Sequence, residues 1–178
     1  MSLSDKDMSL LKKNVIDIVG NIDFKTAAHV RECLSILVGR GSPDITLVIT
    51  SSGGDVDIGL NIYDMLRLYP GKKTGKVIGF AKSMAVIILQ VCDIRKCAMH
   101  ASILIHHISR SNVSLDVLTN PDRLQKTRDE LTKKQGYCNN ILSEKTKQSV
   151  KKLKQACEEE KDMTAEEAKE FGLVDEII

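Results

Sequence analysis

The sequence predicts an α/β fold. Short apolar or β-branched runs alternate with helical periods, the junctions carry Gly, Asp or Asn-Pro, and residues 45–50 are apolar almost without a break. In order, residues 15–19 read as a strand closed by Gly20. Asp23 caps a helix to about Val38 that sets Ala27, Val30, Leu34 and Leu37 on one face, with Gly39 and Gly41 ending it. Residues 45–50 are expected to be a strand in a sheet covered on both faces. Ser51-Ser52-Gly53-Gly54 reads as a tight turn before a helix over 57–68, which Pro70-Gly71 stops. The strand–turn–helix unit repeats as residues 76–80 and the wholly apolar run 84–91, with Ser83 between them. Residues 97–99 and 102–105 are expected to be two short strands around a turn. Asn120-Pro121 makes an N-cap and first helical residue for a long helix through Leu142, with a narrow apolar stripe at Leu124, Leu131, Cys138, Ile141 and Leu142. Thr164 with Glu167 is a capping-box pattern for a last helix ended by Gly172, before the tail 173–178.

At 178 residues the chain is expected to be a single domain over 1–178, large enough to bury its own core. Acidic and basic residues nearly balance at a formal charge of +2, and Trp is absent among few aromatics, so no nucleic-acid partner is expected. The Lys-rich stretch 145–154 reads as a solvated helix face. No run is long enough to span a bilayer, so no membrane association is expected. The five cysteines are odd in number and lack C-x-x-C spacing, which fits reduced packing thiols and a cytoplasmic location.

The chemistry concentrates in Gly79-Phe80-Ala81-Lys82-Ser83-Met84-Ala85 and in Ile103-Leu104-Ile105-His106. A serine where a strand gives way to an apolar helix presents its hydroxyl beside unpaired backbone N–H groups, as an acyl-transfer nucleophile requires. Ser83 is therefore a candidate nucleophile and His106 a candidate base, although a lone serine in this position is more often only a helix cap. His107 points to the opposite strand face, so the pair is a poor metal chelate and no metal site is expected. Gly53-Gly54 lets backbone approach a substrate closely. Lys82 invites comparison with Ser-Lys peptidases, but a residue adjacent to the nucleophile rarely folds back to serve it.

With those residues placed, the chain resembles the Clp protease proteolytic subunit family, the ClpP-like serine peptidases of the crotonase-like fold. The resemblance runs from about Leu10 to Ile178. It rests on Thr50-Ser51-Ser52-Gly53-Gly54, Ile62-Tyr63-Asp64-Met65, Ala81-Lys82-Ser83-Met84-Ala85, Ile105-His106, and Thr164-Ala165-Glu166-Glu167-Ala168 with Phe171-Gly172-Leu173-Val174-Asp175. It implies a spiral of ββα units with a protruding handle helix, here about residues 110–150. It also implies catalysis by Ser, His and Asp, and seven-membered rings stacked in pairs around a chamber fed by an ATP-driven unfoldase.

Carried over by position, Ser83 is the nucleophile, His106 the general base, and the Gly54 and Met84 amides the oxyanion hole. The family Asp falls on Glu160, counting back from Met163 without a gap, with Asp162 as the alternative carboxylate. Substrates would be peptides or unfolded proteins, and no metal or organic cofactor is needed. Three features depart from the family pattern. His107 and Ile108 stand where Gln and Pro are usual, and Ser109 to Val117 lacks the glycines of the substrate-holding strand. The N-terminal hairpin that gates the pore is expected to be missing or reduced. Two rival readings follow, a non-catalytic ring subunit and an acyl-CoA enzyme of the wider crotonase-like fold.

Overall fold

The computed structural model describes residues 3–178; Met1 and Ser2, the first residues of the expected domain, lie outside them. Helix α1 (Asp5–Leu11) leads into strand β1 (Val15–Ile22), and α2 (Phe24–Gly39), β2 (Ile45–Gly54), α3 (Val56–Leu68), β3 (Lys73–Lys82) and α4 (Met84–Leu89) follow in strict alternation. Two short strands, β4 (Ile94–Cys97) and β5 (Ser102–Leu104), precede the helices α5 (Leu115–Thr119), α6 (Pro121–Thr146), α7 (Val150–Glu159) and α8 (Ala165–Phe171). Strand β6 (Glu176–Ile177) closes the chain. The sheet is parallel, in the order β1-β2-β3-β4-β6, and β5 pairs the far end of β3. This is the mixed α/β architecture expected of the ClpP-like fold.

Each long strand is two short ones joined by a kink. The β1–β2 register shifts between Val19 and Asn21, where Gly20 has φ 83°, and the β2–β3 register shifts between Ile49 and Ser51. On β3, Thr74 to Val77 pair with β4, and Phe80 to Lys82, beyond Gly79 at φ 77°, pair with β5. Two expectations are corrected by this. Gly20 does not close its strand, and Ser51-Ser52-Gly53-Gly54 is not a tight turn but the continuation of β2, paired through Gly54 with Ile22. The reason is that a bulge redirects a strand without ending its ladder. The kinks are what carry Gly53, Gly54 and Ser83 to one edge.

Local chemistry sets the helix ends. The Asp23 carboxylate accepts hydrogen bonds from Lys25 N (2.8 Å) and Thr26 N (3.1 Å), and Asn120 does the same for Asp122 and Arg123. Thr164 and Glu167 form the reciprocal capping box. An unexpected box of the same kind, Ser4 with Asp7, starts α1. The strand expected over 97–99 lies earlier, as β4, and it does not form a hairpin with β5, since both run parallel to β3. The 45–50 strand is fully buried on one face only; its Thr46, Val48 and Thr50 are half-exposed in the single chain. On α6 the apolar stripe divides: Cys138 and Leu142 are buried, while Leu124 is exposed. The first ten residues of α6 are exposed except Thr127.

The C-terminal segment is locked by a buried arginine. Arg95 donates to Gln90 Oε1 (2.6 Å), the Gly172 carbonyl (2.8 Å) and both oxygens of Asp175 (2.5 and 3.1 Å). Burial alone would push the Asp175 carboxyl up, but the Arg95 hydrogen bonds and charge outweigh it and hold the group below its ordinary value of 3.8. A carboxylate depressed in the folded state adds stability above its unfolded pKa and loses it as pH falls through the folded one. The melting-temperature gap between wild type and Asp175→Asn should therefore be full at neutral pH and close on acidification below 3.8. A gap unchanged down to strong acid would refute this.

Candidate active site

Ser83 sits on a strained turn. Its backbone has φ 54° and ψ −123°, a conformation that costs a non-glycine residue about 1–3 kcal/mol. Burial holds it there. All six residues of α4 are buried, Val86, Ile88 and Leu89 completely, and each such large aliphatic contributes about 1.5–3 kcal/mol. On the other side, Ser83 N donates to the Leu104 carbonyl at 2.9 Å, fixing the turn to β5. Among the described residues Ser83 Oγ has no hydrogen-bond partner, so the hydroxyl is not a helix cap.

Of the two glycines of β2, Gly53 packs against this turn and Gly54 against Asn21 and Ile22 of β1. A Cβ on Gly53 would lie 2.7 Å from Ser83 Cβ, 2.7 Å from the Lys82 carbonyl and 3.0 Å from Met84 N, and its φ is +89°. Gly53→Ala should therefore cost about 2 kcal/mol or more in thermal denaturation and displace the nucleophile. Wild-type stability in that variant would show that the turn gives way freely. Asp55 N donates to Ile22 O at 2.9 Å. Strand alternation then turns the Gly54 N–H to the opposite edge, toward β3. Met84 is the first residue of its helix, so its N–H has no acceptor within it.

His106 is part-buried just beyond β5, and it lines one small cavity with Ser83, Met84, Ile105 and Cys138. The volume is about 20 Å³, room for little more than one water. No hydrogen bond joins His106 to Ser83 in this state. His106 Nδ1 lies 2.6 Å from the His107 carbonyl oxygen. A carbonyl only accepts, so Nδ1 carries the proton and Nε2 of the neutral ring keeps its lone pair, the state a general base needs. Gln135 on α6 steadies the same segment, accepting from Ile108 N at 2.7 Å and donating to Asn139 at 2.9 Å.

The two carboxylate candidates are placed differently. Glu160 is exposed, in a left-handed conformation (φ 46°) at the C-terminus of α7. Asp162 receives Lys82 Nζ at 2.6 and 2.9 Å. Among the described residues no carboxylate accepts from His106. A larger groove, about 650 Å³, opens from Gly54 between residues 108–111 and α6, where Lys134 pairs with Asp57 at 2.6 Å. The chain without glycines, Ser109 to Val117, forms no strand there; it is a loop running into α5. The roles of Lys82 and Gln135 carry no local sequence signal, since each partner lies far along the chain.

A serine on a strained strand-to-helix turn, beside an imidazole with its lone pair available and the backbone amides of Gly54 and Met84, is an arrangement suited to acyl transfer. A family model described as Clp protease matches residues 2–178, and the chain belongs to that family. The family is one of serine peptidases whose members generally form oligomeric rings acting on peptides. Among the described residues no helix is long and apolar enough to cross a membrane.

Proposed function

We propose that this chain is a serine endopeptidase subunit of a self-compartmentalising ring. The observation that carries the reading is Ser83 at φ 54°, sharing a cavity with a base-ready His106. His106 Nε2 takes the Ser83 proton as Oγ attacks a peptide carbonyl, and the Gly54 and Met84 amides hold the oxyanion. His106 then gives that proton to the leaving amine, and a water, deprotonated in turn by His106, releases the acyl group and restores Ser83. Glu160 takes over the Nδ1 proton from the His107 carbonyl when substrate closes the site, and so orients His106 and stabilises its cation. The open Ser83–His106 contact is consistent with a resting site, because catalytic hydrogen bonds often tighten only with substrate.

Assembly is supported by apolar side chains left wet in one chain. Val19, Ile78 and Phe80 are exposed on the strands, and Leu124 on α6. Five free, buried thiols support a reducing compartment, and we place the enzyme in the cytoplasm, served by an ATP-driven unfoldase. The small volume of that cavity favours one rival, a non-catalytic ring subunit.

A fluorophosphonate probe combined with sedimentation separates the two. Labelling at Ser83 in a particle many times 19.7 kDa is expected. A ring that never labels would establish the non-catalytic reading, and a stable monomer at micromolar concentration would remove the chamber.

A further inference from the structure

Building on the proposed peptidase reading, we infer that Lys82 and Asp162 form a positioning pair. Their ion pair straps residues 160–163 against β5, so that Glu160 is presented to His106. Lys82 is the last residue of β3, immediately before the nucleophile, and its partner lies 80 positions away. The ammonium engages both carboxylate oxygens, at 2.6 and 2.9 Å. Asp162 is thus already committed, and Lys82 is not a free base.

The sheet register gives the pair its meaning. β3 pairs Lys82 with Leu104. On the other side of β5, Ile103 and Met163 form an antiparallel bridge through two hydrogen bonds, 3.0 and 2.8 Å. That register continued by one residue sets Asp162 opposite Leu104. Lys82, Leu104 and Asp162 then form a row across three strands, closed by the ion pair. Side chains two residues apart share a face. Two residues further on, the same register sets Glu160 opposite His106 on that same face. Lys161, one residue nearer to Glu160, pairs with Glu167 of α8, so the Lys82–Asp162 pair is the outermost tie of this segment to the sheet, and it decides how far Glu160 strays from the histidine. Misplacing a catalytic group by an ångström has large effects on rate, whereas substrate binding in the groove beyond Gly54 does not involve this row.

The test measures kinetics and amide exchange on the assembled protein. Lys82 and Asp162 are half-exposed, so their coupling is limited to a factor of about five. Lys82→Met and Asp162→Asn should each lower kcat by about fivefold at unchanged KM. The double variant should be no worse than either single, and Lys82→Arg should retain wild-type kcat. In a Ser83→Ala background, Lys82→Met should also speed exchange of the Met163 amide. Unchanged kcat in the single variants, losses that multiply in the double, or a shift in KM alone would overturn the inference. Should the wild type hydrolyse nothing, the peptidase reading fails, and Met163 exchange still decides: acceleration upholds the strap and its absence sinks it.

Discussion

Ser83→Ala is expected to reduce hydrolysis of small fluorogenic peptides by about a million-fold, leaving the residual catalysis of the amides and the groove. The assembly should be unchanged, because Ser83 Oγ makes no hydrogen bond that the fold would miss. Ser83→Gly provides a sharper control. Glycine adopts φ 54° freely, so it relieves strain of about 1–3 kcal/mol against a smaller entropy cost. That variant should be as inactive as Ser83→Ala and yet melt at a higher temperature than wild type. An inactive but destabilised Ser83→Gly would mean the turn stores no strain. Activity surviving in Ser83→Ala would remove the nucleophile assignment altogether.

Glu160→Gln is expected to lower turnover by about ten-thousand-fold, since the third group of a triad fixes the histidine tautomer and stabilises its cation. Asp162→Asn should stay within about fivefold of wild type, because that carboxylate serves Lys82. Two observations favour this order. Asp162 is engaged on both oxygens, and the Ile103–Met163 bridge, extended by three residues, sets Glu160 rather than Asp162 opposite His106. Glu also reaches one methylene further than Asp, which suits a backbone that turns away at φ 46°. The reverse result would move the role to Asp162. If neither variant matters, the His107 carbonyl on Nδ1 is the only orienting group the ring needs.

Features with local causes were legible in the sequence. The Asp23, Asn120 and Thr164 caps each satisfy backbone donors within three residues, so composition alone located three helix starts. The Ser83 turn was legible because a strand and an apolar helix met at one small polar residue. In the sequence α7 shows only as solvated lysines, since its buried Leu153, Ala156 and Cys157 are outnumbered by charge. Gly20 reads as a strand end, because a glycine signals a break and not whether pairing resumes after it, and Gly79 gives no sign within its strand that the chain kinks there. Lys82 with Asp162, and Gln135 with Ile108, are contacts made by the tertiary fold between elements far apart in the chain. No spacing rule reaches them.

The cysteines have a practical consequence. All five are buried and free, and burial pushes their thiols up, to about 12 for Cys33 and Cys92 and about 11 for Cys97, Cys138 and Cys157. At neutral pH fewer than about one in a thousand of any of them is the thiolate that reacts. The native chain is therefore nearly silent to maleimides while folded. A single cysteine introduced on the exposed first turns of α6, at Gln125 or Lys126, would take a fluorophore alone. That gives an optical reporter of neighbouring subunits approaching, with none of the native thiols needing replacement.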